Sequence, residues 1–239
     1  MGDGALMAED RGMRQKTMAV AGAVLGMSLA VAACDVRLNI GGGQQDTMSY
    51  DVKDAVTAID AHTGAGDIVV TETGRTGVHV TETRHWRGDK PGDGHGVSGG
   101  TLTLAYKCDN CWVDYRVEVP RGVRLKLDSG SGDVTLRDAT GPVEVTTGAG
   151  DVDSRGLAGK QVSVNTGAGN VKLRFTAVPD SVRAETGAGD AHLWVPESTY
   201  NVTVETGIGD GKVRVPVDPS APRTIVVKTG AGDAEVNRL

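Results

Sequence analysis

The sequence predicts an all-β chain folded as a β-solenoid-like stack of about seven repeats of ~20 residues, with a sandwich of hairpins as the alternative. Three observations lead there. Glycine supplies 35 of 239 residues and β-branched Val and Thr supply 33 and 23, while aromatics are only 3% with a single Phe. A short TGxGD motif recurs through the chain. Around each copy, apolar and polar residues alternate with the period of two that belongs to strands.

The N-terminal part reads as an address. Arg14 and Lys16 precede a run of small apolar residues, 18–33, which stops at Cys34. The run is short for a spanning helix, which needs ~20 residues, and the chain beyond it is polar and glycine-rich. Val31-Ala32-Ala33-Cys34 resembles the lipobox of bacterial lipoproteins, whose cysteine sulfur takes a diacylglyceryl group before cleavage. The resemblance implies a signal peptide over 1–33, a lipidated Cys34, a tether or edge segment over 34–50, and a repeat domain over 51–239. Its location would be the extracytoplasmic face of the cell membrane. The net charge of -6 argues against nucleic acid as a partner, so membrane association would rest on the acyl chains rather than on a basic patch.

The corners stand at 63–67, 129–133, 147–151, 166–170, 186–190, 206–210 and 229–233. From the second copy onward their last residues advance by 18, 19, 20, 20 and 23, one supersecondary unit per step. Four residues before each corner stand Ile59, Leu125, Val143, Val162, Val182, Val202 and Ile225, every one a branched aliphatic. Two before stand Ala61, Leu127, Val145, Val164, Ala184, Val204 and Val227, with mostly polar residues between. Each unit is therefore strand, corner, strand with one apolar face, and the corner Thr or Ser shares that face by parity. Matched small inward residues favour stacking over hairpins, because each rung meets its own kind. An open stack exposes strand edges, and the last repeat, 225–236, is read as such an edge, open to pairing with another copy or covered by a capping tail.

Between the first two corners lies a departure. Segment 84–99 packs His85, Trp86 and Arg87 beside Lys90 and His95 in a glycine-rich stretch, so it reads either as a loop whose candidate ligand residues are these three or as an insertion whose Trp86 caps the first coil, the second being favoured. Trp112 and Trp194 fall inside strand patterns and are expected to pack or to cap an end. Gly96 to Gly100 spells GxSxG, yet a glycine-rich stretch precedes it and a Thr-Leu-Thr-Leu strand follows, the wrong context for a nucleophile elbow.

The repeated V-x-V-x-TGAGD-V-x-V pattern, the strand from Gly100 to Leu104 running into Cys108 and Cys111, and the 113–120 strand ending at Pro120 resemble the bacterial putative-adhesin family of β-strand-repeat proteins. The resemblance implies a β-helix-like envelope or surface protein without catalysis, some relatives being linked to sensing envelope stress or antimicrobial peptides. Outside the cytoplasm thiols oxidise, so Cys108 and Cys111 are expected as a structural disulfide rather than a redox pair or half of a metal site. One Asp per corner supplies few of the six to eight oxygens that Ca²⁺ takes, so turn capping is favoured over metal, and no cofactor is expected. The sequence thus predicts a non-enzymatic, lipid-anchored interaction protein for a cell-wall polymer, peptide or protein partner. A structural spacer or an envelope-stress sensor is the alternative.

Overall fold

Alternating branched and polar side chains fold as strands on both sides of every corner. The computed structural model describes residues 43–239, and every element among them is a β-strand. The 1–33 leader, Cys34 and the start of the 34–50 segment lie outside the described residues. From Gln44 to Val52 the chain forms β1, paired antiparallel with β4 (Val78–Trp86), so this part of the tether-or-edge segment is an edge strand.

Seven strand pairs turn through the repeated corners. They are β2 (Ala58–Thr63) into β3 (Ile68–Glu72), β8 (Arg124–Ser131) into β9 (Val134–Arg137), and β10 (Val143–Ala149) into β11 (Val152–Leu157). Then come β12 (Gln161–Ala168) into β13 (Val171–Phe175), β14 (Ser181–Ala188) into β15 (Ala191–Val195), β16 (Asn201–Ile208) into β17 (Gly211–Val213), and β18 (Thr224–Ala231) into β19 (Ala234–Arg238). A further pair, β6 (Thr101–Ala105) into β7 (Cys111–Val119), turns through 106–110 instead. The first strand of each pair joins a nine-stranded sheet and the second a ten-stranded sheet.

Corner pairs stack in parallel, which rules out the sandwich of hairpins, whose neighbours would run antiparallel. Register puts like on like. Leu102, Ile59, Leu125, Val143, Val162, Val182, Ile225 and Val202 form one inward ladder of the nine-stranded sheet. Tyr115, Ile68, Val134, Val152, Val171, Ala191 and Ala234 form one in the other sheet. Nearly all of these side chains are buried, and Val202 on the outermost strand is the partly exposed exception. Ladders made mostly of branched aliphatics fill a narrow two-sheet core with few aromatics, Tyr115 among them, which explains the low aromatic content. Phe175 is buried where the β11–β13 register shifts between Ser154 and Leu157.

Spatial order departs from chain order at both ends. The first corner pair, β2–β3, lies between β6–β7 and β8–β9. The last, β18–β19, is inserted between β14–β15 and β16–β17, so repeat 225–236 is interior and β16 and β17 form the open edge, contrary to the sequence expectation. The reason lies in the 214–223 connection, which carries Pro216, Pro219 and Pro222 and turns on an Asp218 carboxylate that accepts the Ser220 N–H at 2.8 Å. This longer link, the source of the 23-residue step, carries the chain back inward. Ile208, Val213 and Val217 are left exposed near the edge.

Candidate functional site

The corners set the frame on which everything else is presented. Except for Thr206, which donates to Gly209 O of its own corner, their hydroxyls turn inward and donate to the neighbouring coil, as in Ser129 to Gly66 O at 3.0 Å, Thr166 to Gly150 O at 3.0 Å and Thr186 to Gly169 O at 2.8 Å. Their Asp side chains cap forward. Asp67 Oδ1 accepts the Asp133 N–H at 2.9 Å, Asp133 the Asp151 N–H at 2.8 Å, and Asp151 the Asn170 N–H at 2.7 Å. Asn170 passes the pattern on to Asp190 at 3.0 Å, its amide oxygen serving where a carboxylate serves elsewhere. The expected capping therefore reaches across coils rather than within one turn. Among the described residues no group of three or more His, Cys, Asp or Glu is placed to hold a metal ion.

At the end opposite the open edge, antiparallel β1, β4 and β7 close the ten-stranded sheet. Alternation along β4 turns Val78, Val80, Glu82, Arg84 and Trp86 inward and His85 outward. Trp86 is therefore buried, only 6% exposed, which fits its reading as a capping residue and corrects its place among the candidate ligand residues. β4 runs on to pair Trp86 with Cys111, so the candidate loop begins only at Arg87, whose N–H donates to Asn110 O at 3.0 Å. His95 and Ser98 bound β5, hairpinned to β6 through Gly99 and Gly100 with φ of 57° and 77°, so the GxSxG segment is the end of a strand and a tight turn.

Beneath this cap lies a polar cluster that sequence patterning did not reveal. Glu82, fully buried, accepts the Tyr50 hydroxyl at 2.6 Å and the Tyr106 hydroxyl at 2.5 Å on its two oxygens. Burial, and after it the Glu82 charge, push the Tyr50, Tyr106 and Tyr115 phenols well above their usual value. Arg84 grips Asp46 with Nε at 2.8 Å and Nη2 at 2.7 Å. Burial raises the Asp46 carboxyl, but the bonds from Arg84 and Lys90 outweigh it and hold the group below the usual carboxylate range. The signal for this cluster was an acidic residue at an inward parity position, Glu82 on β4.

Above the cluster the surface is aromatic. His85 stacks on Trp112 with ring centroids 4.8 Å apart and planes at 7°, and His85 Nε2 lies 3.0 Å from Asp114 Oδ2. Trp112 is 39% exposed, so it packs on His85 and at the same time presents a face to solvent. Cys108 and Cys111 form the expected disulfide, closing the turn that carries Trp112 onto β7. His62, Thr63, Tyr106, the disulfide and Trp112 line a cleft of about 140 Å³. The structure thus brings His85 together with Trp112, not with Trp86 and Arg87. The ledge is rigid because both rings rise from paired strands, and it offers a flat apolar face with a polar rim.

Residues 53–237 match the family described as Toastrack DUF4097, and this stretch takes in all seven corners. No curated protein matches the sequence. Among solved structures, a "putative cell adhesion protein" from Clostridium sporogenes is similar over 82% of this chain and 100% of its own, at 13% identity and TM-score 0.49. A "putative adhesin" from Bacteroides fragilis covers 82% of this chain and 97% of its own, at 18% identity and TM-score 0.44. The match over most of its length and the stacked-coil fold agree that the chain belongs to the Toastrack DUF4097 family.

Proposed function

We propose that this chain is a non-enzymatic interaction protein, anchored through a lipidated Cys34 on the extracytoplasmic face of the membrane, that binds an envelope component through the His85–Trp112 ledge. The observation that supports it is the ledge itself, a stacked imidazole and indole held open to solvent by two strands and a disulfide. Surface aromatics fixed in this way bind at low entropic cost, because little freedom remains to be lost. The lipobox-like ending at Cys34 supports the anchor. Expression in a bacterial host with a labelled fatty acid tests that part. The full chain should take up label and fractionate with membranes, and Cys34→Ser should lose both, whereas an unlabelled wild-type chain in the cytosol would overturn the reading. Trp112→Ala should keep the anchor and lose envelope binding.

A further inference from the structure

The outward side chains of the ten-stranded sheet form rows as regular as the inward ones. Arg137 stands opposite Arg155 across β9 and β11, and Arg174 on β13 follows across the register shift. All three are exposed and alternate with buried neighbours. Neighbouring strands lie about 4.8 Å apart, so the guanidinium groups rise from successive rungs. Like charges on adjacent strands are destabilising, and here they gather on a chain whose net charge is -6. Among the described residues the row meets a single carboxylate, Asp153, 3.7 Å from Arg155 with both side chains largely exposed, a contact that contributes little. Elsewhere Arg75, Arg84, Arg183 and Arg214 each sit within 3.1 Å of a carboxylate. On the next rung Trp194 faces Arg174, whose guanidinium carbon lies 4.2 Å from the ring centroid, with His192 stacked alongside at 6.0 Å.

We propose that Arg137, Arg155, Arg174 and Trp194 form a binding site for a linear acidic polysaccharide, laid along the stacking axis with its carboxylates on the arginines and a sugar ring on the indole. Guanidinium groups pair with carboxylates through two parallel hydrogen bonds, and a row of them at one spacing suits a polymer that repeats its charge. A ligand carboxylate that draws the Arg174 guanidinium aside uncovers the indole face, against which a pyranose ring packs. A compact anion would occupy one rung and leave both the row and the indole unused. The site lies on other coils than the His85–Trp112 ledge and stands or falls separately from it.

Calorimetric titration of the full chain in detergent with polygalacturonate tests the proposal, with dextran as the neutral comparison. Polygalacturonate should bind, more weakly as salt rises, and dextran should not. Arg137→Gln/Arg155→Gln/Arg174→Gln should weaken binding at least tenfold and melt no lower than the wild type without ligand, since it removes repulsion. Trp194→Ala should weaken binding several-fold. Arg124→Gln/Lys126→Gln/Arg183→Gln, which removes the same charge from the nine-stranded sheet, should leave it unchanged. No binding of polygalacturonate, or equal losses in the two triple variants, would overturn the site. Inorganic polyphosphate binding as tightly as polygalacturonate, with Trp194→Ala without effect, would overturn its assignment to a sugar polymer.

Discussion

Asp114 accepts the backbone N–H of Asp67 at 3.0 Å across 47 residues of sequence, from a coil that has no TGxGD corner. It occupies the place in its coil that each corner Asp occupies in its own, and so begins a ladder that runs through Asp67, Asp133, Asp151, Asn170, Asp190 and Asp233 to Asp210. Each member before Asp210 caps the amide of the next coil, and the same Asp114 holds His85 through its other oxygen. The frame and the aromatic ledge are thus joined at one residue.

The ladder has a direction, so its members are not equivalent. Asp151→Ala removes the acceptor of the Asn170 N–H and should lower stability by about 1 kcal/mol. Asp210 closes the ladder on the outermost coil, where its carboxylate faces Lys212 at 3.7 Å and caps no described amide. Asp210→Ala should stay within about 0.5 kcal/mol of wild type. Denaturant unfolding of the two variants checks the difference.

The corner glycines divide in the same way. A Cβ on Gly150 would lie 2.1 Å from the Gly132 carbonyl oxygen and 2.6 Å from its carbon, backbone atoms that leave nothing soft to yield. Gly150→Ala should cost about 3 kcal/mol or more. A Cβ on Gly64 meets nothing within 4 Å, so Gly64→Ala should be nearly neutral. Thermal melts of the pair show whether close coil approach is what the glycines serve.

Much of this frame was legible because the solenoid repeats its reasons: one inward ladder and one corner, stated again in every coil. The coil exchange at the open end was less legible, since only the 23-residue step and Pro216, Pro219 and Pro222 mark it. The candidate site was legible in part. Period-two parity along β4 turns Trp86 inward and His85 outward, but the glycine-rich composition of 84–99 hides the strand's last residues. Trp112 and the arginine row depend on which strands become neighbours, and parallel pairing across the stack cannot be read from one strand alone.

Calcium should not stabilise the domain. The ladder carboxylates are turned to amides, with Asp133 Oδ1 2.8 Å from the Asp151 nitrogen, rather than converging on a shared centre. Melting points with calcium and with EDTA should coincide, and a rise of several degrees with calcium would show that the exposed oxygens converge after all.

The four tyrosines, Tyr50, Tyr106, Tyr115 and Tyr200, are all raised above their usual value, first by burial. An unfolded tyrosine titrates near pH ~10, so above that range the folded chain holds more protons than the unfolded one. The stability tied to these phenols is complete below about pH 10 and falls as pH rises further. Absorbance at alkaline pH should show no phenolate until the chain unfolds, and then all of it in one step. A gradual titration of the folded protein near pH ~10 would contradict the buried cluster.

The most direct test of the functional account is co-sedimentation of the 36–239 unit with purified cell-wall material and, separately, with membranes, comparing wild type with Trp112→Ala and Trp86→Ala. The account predicts that wild type pellets with an envelope fraction and that Trp112→Ala, still folded, stays in solution. Trp86→Ala should act through stability alone, losing binding only where it loses its melting transition. Wild type that pellets with neither fraction, or Trp112→Ala that pellets as well as wild type, would contradict the ledge as a binding surface and favour a spacer.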